Sequence, residues 1–403
     1  MFIRSLSLTN FRSLRRLELQ IPEQLTLFFG GNAQGKTSIL EAIHFLSLMT
    51  SPVAAHDREI LNFACMDDQP PVCRIVGEIE KNGTAHKLEI RLIINRIQNG
   101  NRRLVKEVLI DGVKRRLYDA VGFFNSVLFL PQMTRIIEDG PNERRRYMDQ
   151  VISQVDPGYF QALVDYQQGL ARRNALLKRL QESGGDEGQL NYWDQLLAEK
   201  GAVIMRARYQ AARELERYFS QQHLEVTESR EVIRLVYQPS FDSEDEEKRP
   251  IADSGFEDPQ IDLNPGKIEG DFQEALLRLR REEIRRGVTT IGPHRDDLAF
   301  IANDIDLRVY GSRGQIRSAV MSLKLAETQW FKQKKGELPV LLLDETLAEL
   351  DQNRRGKLLR AISNGWQALF TTADLRLFSE EFTSRCAVWG VLEGRVTPNP
   401  PSS

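Results

Sequence analysis

Gly30-Gly31-Asn32-Ala33-Gln34-Gly35-Lys36-Thr37 reads G-x-x-x-x-G-K-[ST] and decides the fold. Before it stands a solid apolar run, Leu25-Thr26-Leu27-Phe28-Phe29, which predicts a buried strand. After it, Ser38 to Leu48 reads as an amphipathic helix. Strand, loop and helix are the context that a phosphate-binding loop requires. The glycines let the loop wrap so that its N–H groups converge on phosphate oxygens, and the helix start adds positive potential. Lys36 reaches the terminal phosphates, and the Thr37 hydroxyl can hold Mg²⁺. At typical residue frequencies such a pattern arises by chance in roughly one chain of this length in 70. ATP and Mg²⁺ are therefore the expected cofactors, with Gly30 to Thr37 and the adjoining Ser38 as the binding residues.

A phosphate-binding loop needs an acid at the end of a neighbouring strand to fix Mg²⁺ and orient water. Leu338-Pro339-Val340-Leu341-Leu342-Leu343-Asp344-Glu345 is an apolar run ending in two carboxylates. Asp344 is assigned to the metal with Thr37; Glu345, with Lys36, is assigned to catalysis by polarising the attacking water. Thr37 and Asp344 stand 307 positions apart, which implies an ATPase head split by a large insertion. Just before that strand, Tyr310-Gly311-Ser312-Arg313-Gly314-Gln315 opens a helix, again a phosphate-binding arrangement.

Together these motifs resemble the ATP-binding-cassette ATPases of the SMC type, with Walker A at 30–37, the signature at 311–315 and Walker B at 340–345. The resemblance implies that Ala348-Glu349-Leu350-Asp351 is the D-loop, that Gln132 is the Q-loop and a metal ligand, and that Thr371-Thr372 lies at the switch. It also implies that Ser312, Arg313, Gly314 and Gln315 cover nucleotide held by a second copy, so that ATP joins a homodimer. Within that class the chain is most similar to the RecF family of recombination mediators. The landmarks are Leu6-Ser7-Leu8-Thr9-Asn10-Phe11-Arg12, Leu40-Glu41-Ala42-Ile43, Gly140-Pro141-Asn142-Glu143-Arg144-Arg145 and Gly292-Pro293-His294-Arg295-Asp296-Asp297-Leu298. The family resemblance implies nucleotide contact by Arg12, binding to gapped or junction DNA, RecO and RecR as partners in loading recombinase, a link to the SOS response and slow, DNA-dependent hydrolysis. Ser51-Pro52-Val53-Ala54-Ala55-His56 is the least family-like stretch.

The 403 residues suggest two to three domains at about 150 each. Charged residues make up 28% and apolar residues 41%, an ordinary globular composition. No apolar run approaches the roughly 20 residues that span a bilayer, and the first residues lack a signal pattern. A cytoplasmic protein without membrane contact is expected. Cys65, Cys73 and Cys386 match no disulfide or zinc spacing.

The net charge of −2 hides an asymmetry: residues 239–270 hold ten acids against three bases. With four prolines there, the stretch reads as a flexible acidic insert. Elsewhere Arg102-Arg103, Lys114-Arg115-Arg116, Arg144-Arg145-Arg146 and the arginines at 278, 280, 281, 285 and 286 are candidates for a phosphate-binding surface. Aromatics are not interleaved with them, which favours sequence-independent backbone contact over base stacking. His294 is expected to be structural, and adjacent Asp296-Asp297 to make salt links rather than share an ion.

Residues 72–117 read as an antiparallel meander turning at Asn82-Gly83, Asn99-Gly100 and Asp111-Gly112. Between about 158 and 222 the apolar spacing is that of a coiled coil, interrupted at 183–188 into a short hairpin. The expected fold is α/β: an ABC/SMC-like P-loop ATPase head from residues 1–140 and 288–403, with an inserted, mainly helical lobe, 141–287. Two other readings fit less well. A transporter ATPase subunit predicts a compact domain of about 200 residues with a Leu-Ser-Gly-Gly-Gln signature, and a nucleotide-holding scaffold does not need Glu345.

Overall fold

The computed structural model describes the chain apart from residues 55, 67, 69, 97–101, 241–262, 363, 364 and 399–403. Most of the expected acidic insert and the Asn99-Gly100 turn therefore lie outside the described residues. The chain divides into two compact units: Met1–Met133 with Glu327–Ser403, and Thr134–Ala326. The second boundary differs from the expected 287/288 because strand Asp297–Ala302 lies antiparallel to Ile233–Gln238, which folds residues 288–326 with the inserted unit.

Unit 1 encloses helix Lys36–Leu48 between two six-stranded sheets. One is antiparallel, ordered Leu14–Gln20, Phe2–Phe11, Val72–Lys81, Thr84–Arg96, Arg102–Ile110, Val113–Arg115. Two of its turns use residues with positive φ, Asn82-Gly83 (50° and 73°) and Asp111-Gly112 (53° and 79°), as right-twisted hairpins demand. The other sheet is mostly parallel, ordered Arg395–Pro398, Cys386–Leu392, Leu25–Phe29, Ala368–Thr372, Val340–Asp344, Ser126–Phe129. Its central strands are buried on both faces, which is why they read as unbroken apolar runs. The last described residues form the hairpin Cys386–Leu392 and Arg395–Pro398. The helix Lys36–Leu48 is less amphipathic than its sequence: Glu41, His44 and Ser47 are buried too. They are satisfied inside the unit, Glu41 by Arg12 and both His44 and Ser47 by Ser126.

Unit 2 is built on the helical hairpin Pro157–Ser183 and Leu190–Thr227, with helix Pro265–Arg286 packed on both arms. Its first arm of 27 residues is about 40 Å long, so the hairpin is a stub. Helix Pro265–Arg286 starts inside the stretch expected to be flexible, where Asn264 caps it by accepting the Gly266 N–H. The Gly140 and Gly292 landmarks meet within this unit. Arg144 is 2% exposed and donates a fork to both Asp297 carboxylate oxygens at 2.6 and 2.9 Å. Asp296 accepts the Ser240 N–H and the Tyr237 hydroxyl, and Arg145 donates to the Asp296 carbonyl. The adjacent acids thus serve separate partners, and Arg144 is withdrawn from any phosphate-binding surface.

His294 Nε2 donates to the Thr289 carbonyl at 3.2 Å, and in the neutral ring Nδ1 accepts from the Tyr166 hydroxyl at 2.8 Å. Burial first, then neighbouring arginines, pulls its imidazole down to about 4. The fold prefers neutral His294 while the unfolded chain takes up a proton near 6.5, so stability is expected to fall as pH drops from about 6.5 to about 4. Urea midpoints across that range check this, and His294→Gln should flatten the dependence. Among the described residues no helix is long and apolar enough to cross a membrane.

Candidate nucleotide site

Strand register assembles the site in unit 1. In the parallel sheet Thr371 stands opposite both Phe28 and Asp344, so the strand Ala368–Thr372 lies between the P-loop strand and the strand carrying the acids. The acid is therefore two strands from the P-loop rather than on the neighbouring one, and Thr371 bridges the gap. Its hydroxyl donates to Asp344 Oδ1 at 2.6 Å and accepts the Glu345 N–H at 3.0 Å. Thr37 donates to the Asp344 carboxylate at 2.9 Å. Burial pushes the Asp344 carboxyl above its ordinary range, opposed by the hydroxyls of Thr371 and Thr37 and the charge of Lys36. A hydroxyl beside a carboxylate is an oxygen donor set of the kind Mg²⁺ takes, so the residues present fit that ion.

Lys36 is 4% exposed; its Nζ donates to the Gly30 and Gly31 carbonyls at 2.7 and 2.8 Å and stands 3.1 Å from Glu345 Oε1. Glu345 itself sits in the left-handed region, φ 48°, an uncommon conformation for a non-glycine residue. Besides Lys36, its contacts include the Thr371 hydroxyl, the Ala348 N–H on its carbonyl at 3.1 Å, and the Ala373 N–H, which reaches Glu345 Oε2 at 3.3 Å. Gly35, φ 103°, precedes the first helical residue and turns the chain so that the helix N–H groups face the loop. A Cβ on Gly30 would lie 2.2 Å from the Val391 carbonyl oxygen, so only glycine lets the loop pass that strand.

The other predicted residues are placed as follows. Arg12 forks onto both Glu41 oxygens at 3.0 and 2.7 Å, beside the first turns of the P-loop helix. Gln132 is exposed, in the turn Pro131–Thr134, and makes no hydrogen bond with Thr37 or Asp344. Asp351 accepts the Arg354 N–H, and that bond with the Arg354 guanidinium holds its carboxyl below the usual range. Ser312 and Gln315 belong to unit 2 and cap their helix reciprocally, Ser312 N–H to Gln315 Oε1 at 3.0 Å and Gln315 N–H to Ser312 Oγ at 3.3 Å. Ser312 and Arg313 are exposed.

Sequence reading missed two supports. One is the bridging by Thr371, visible only in the register. The other is the turn Glu393-Gly394, whose N–H groups go to Gln34 Oε1 at 2.6 Å and the Gln34 carbonyl at 3.0 Å. Glu-Gly directly after the apolar run ending at Leu392 was the available hairpin signal.

Residues 2–388 match the RecF/RecN/SMC N terminal domain. The DNA replication and repair protein RecF of Herpetosiphon aurantiacus is 35% identical over 407 residues, covering 99% of this chain and 100% of the relative. The chain belongs to the RecF family of DNA replication and repair proteins. A RecF of Chloroflexus aurantiacus is 36% identical over 413 residues, covering 98% and 99%. Among solved structures, the recombination mediator RecF with ATP, in the RecFOR pathway, superposes with a TM-score of 0.83 at 29% identity, covering 99% of this chain and 98% of that one. An Smc head bound to the C-winged helix domain of ScpA shares the fold, with a TM-score of 0.50 at 15% identity. The RecF family is thus one of SMC-type ATPase folds.

Thr371→Val keeps the shape but removes both bonds of the bridge. ATP turnover is expected to fall about tenfold to a hundredfold with nucleotide affinity little changed. Thr371→Ser should restore most of it, and equal turnover in Val and Ser variants would discard the bridge.

Proposed function

We propose that this chain is an ATP-dependent DNA-binding protein of recombinational repair and replication restart. The observation that carries this reading is the convergence of Lys36, Thr37, Asp344 and Glu345 at the end of one parallel sheet. The P-loop amides and Lys36 Nζ bind the phosphate chain of ATP, and Thr37 Oγ1 with Asp344 holds Mg²⁺. Mg²⁺ supplies charge neutralisation for the phosphates when bound. Lys36 exchanges its contact with Glu345 for phosphate oxygen, which frees a Glu345 carboxylate oxygen to orient water and accept its proton. Ser312 to Gln315 of a second copy, and the D-loop around Asp351, close over the nucleotide, so that ATP joins two chains. The dimer clamps gapped or junction duplex through backbone contacts in the cytoplasm, slow hydrolysis releases it, and proteins of the RecO and RecR kind meet it there to load recombinase, which links the protein to the SOS response.

Binding of labelled gapped duplex, with and without ATP and Mg²⁺ across a salt series, tests the reading. ATP should strengthen binding and produce dimer mass together. Lys36→Arg is expected to lose the ATP-dependent dimer. DNA binding that ignores ATP would favour a nucleotide-holding scaffold instead.

A further inference from the structure

Ion pairs remove several arginines that stand out in the sequence. Arg144 serves Asp297, Arg280 serves Asp194, and Arg286 pairs with Glu282. A different set is exposed and unpaired. An open cleft of about 510 Å³ in unit 1 is lined by Thr9, Asn10, Ser13, Arg15, Arg16 and Arg395 among others. Its sides are the outermost strands of the two sheets, Leu14–Gln20 and Arg395–Pro398, which touch each other. All three arginines are exposed, and no carboxylate among the described residues pairs with them. Asp68 and Glu393 also reach the cleft, leaving its lining net positive.

The Glu393-Gly394 turn links the cleft to the P-loop. Glu393-Gly394 lines it and, on its other side, donates both backbone N–H groups to Gln34. Ser13 lines it too, and the Cβ position of Gly35 lies 3.6 Å from Ser13 Oγ and 3.7 Å from Gly394 Cα. A ligand in the cleft therefore sits one turn of chain from the phosphate loop.

We propose that this cleft grips the phosphate backbone of DNA and that the Glu393-Gly394 turn couples it to the P-loop. The inference rests on the DNA-binding reading above and says where that binding occurs. Unpaired guanidinium forks suit phosphate oxygens, and a cleft lined by arginines, hydroxyls and an amide but no aromatic ring grips backbone without reading bases. The coupling is reciprocal: DNA raises the affinity for ATP by the same factor as ATP raises the affinity for DNA.

The test is the full chain carrying Arg15→Ala, Arg16→Ala and Arg395→Ala, with labelled gapped duplex, ATP and Mg²⁺ over a salt series. Affinity should fall about tenfold or more near 100 mM salt, and the slope of log affinity against log salt should shrink by about 2 to 3. ATP affinity without DNA should match the parent. A control, Lys114→Ala with Arg115→Ala and Arg116→Ala, removes as much exposed charge elsewhere and should leave the slope nearer the parent. Equal losses in both variants would reduce the cleft to general charge and overturn the assignment. So would an unchanged slope in the cleft variant of a parent that binds DNA, which leaves the DNA-binding reading standing. A parent that binds no DNA at all sinks that reading first. Weaker ATP binding without DNA would assign the cleft to the nucleotide instead. Gln34→Met, which removes the side-chain acceptor and leaves the Gln34 carbonyl bonded to Gly394, should lower the reciprocal factor; a retained factor excludes the Gln34 side chain as the link.

Discussion

Glu345→Gln is expected to lower ATP turnover by about 10²- to 10⁴-fold while ATP still binds. The geometry supplies both halves of that expectation. Glu345 is the carboxylate at the edge of the site that Thr371 and Ala373 hold in a left-handed turn. The amide keeps the shape but cannot accept a proton. Nucleotide affinity should hold or rise, because Lys36, 3.1 Å from Glu345 Oε1, no longer divides its charge between a carboxylate and the phosphates. Single-turnover phosphate release, set beside equilibrium nucleotide binding, separates the two. Dimer that persists in ATP with this variant, and decays in the parent, would also tie release to hydrolysis. Equal turnover in parent and variant removes Glu345 from the chemistry.

Arg173→Met is expected to cost about 3 to 5 kcal/mol in unit 2. Arg173 is fully buried and donates to Asp194 and Glu283, both at 2.7 Å, and to Thr289 at 2.8 Å. Both carboxylates are themselves 1% exposed or less. Removing the guanidinium leaves their charges without their central partner in an interior that solvates them poorly. Asp194 retains Arg280, and Glu283 retains the Thr290 N–H, which limits the loss. Thermal unfolding should show a drop of roughly 10 °C in the transition of this unit. Arg173→Lys keeps the charge without the fork and should fall between. A parent-like midpoint for Arg173→Met would mean the three partners satisfy one another without it.

Local chemistry was legible in the sequence. The pattern at Gly30 to Thr37 predicted a loop between a buried strand and a helix, and the apolar run ending in Asp344-Glu345 predicted the strand whose carboxylate meets Thr37. The coiled-coil spacing gave both arms of the hairpin, and Asn82-Gly83 and Asp111-Gly112 gave two of the meander's turns. These signals lie within a few residues of one another, where backbone geometry and side-chain period act directly.

What depended on distant parts of the chain was decided only by the tertiary structure. The strand Ala368–Thr372 inserts between the P-loop and the acids, and hydrogen-bond register then sets Thr371 against Asp344. Pairing of Ile233–Gln238 with Asp297–Ala302 moved residues 288–326 out of the head. Charge showed the same limit: Arg144 and Arg15 look equally basic in the sequence. Burial against Asp297 makes the first structural, and exposure at a sheet edge leaves the second free for a ligand. A residue's type is local, whereas its partner is set by packing between segments hundreds of positions apart.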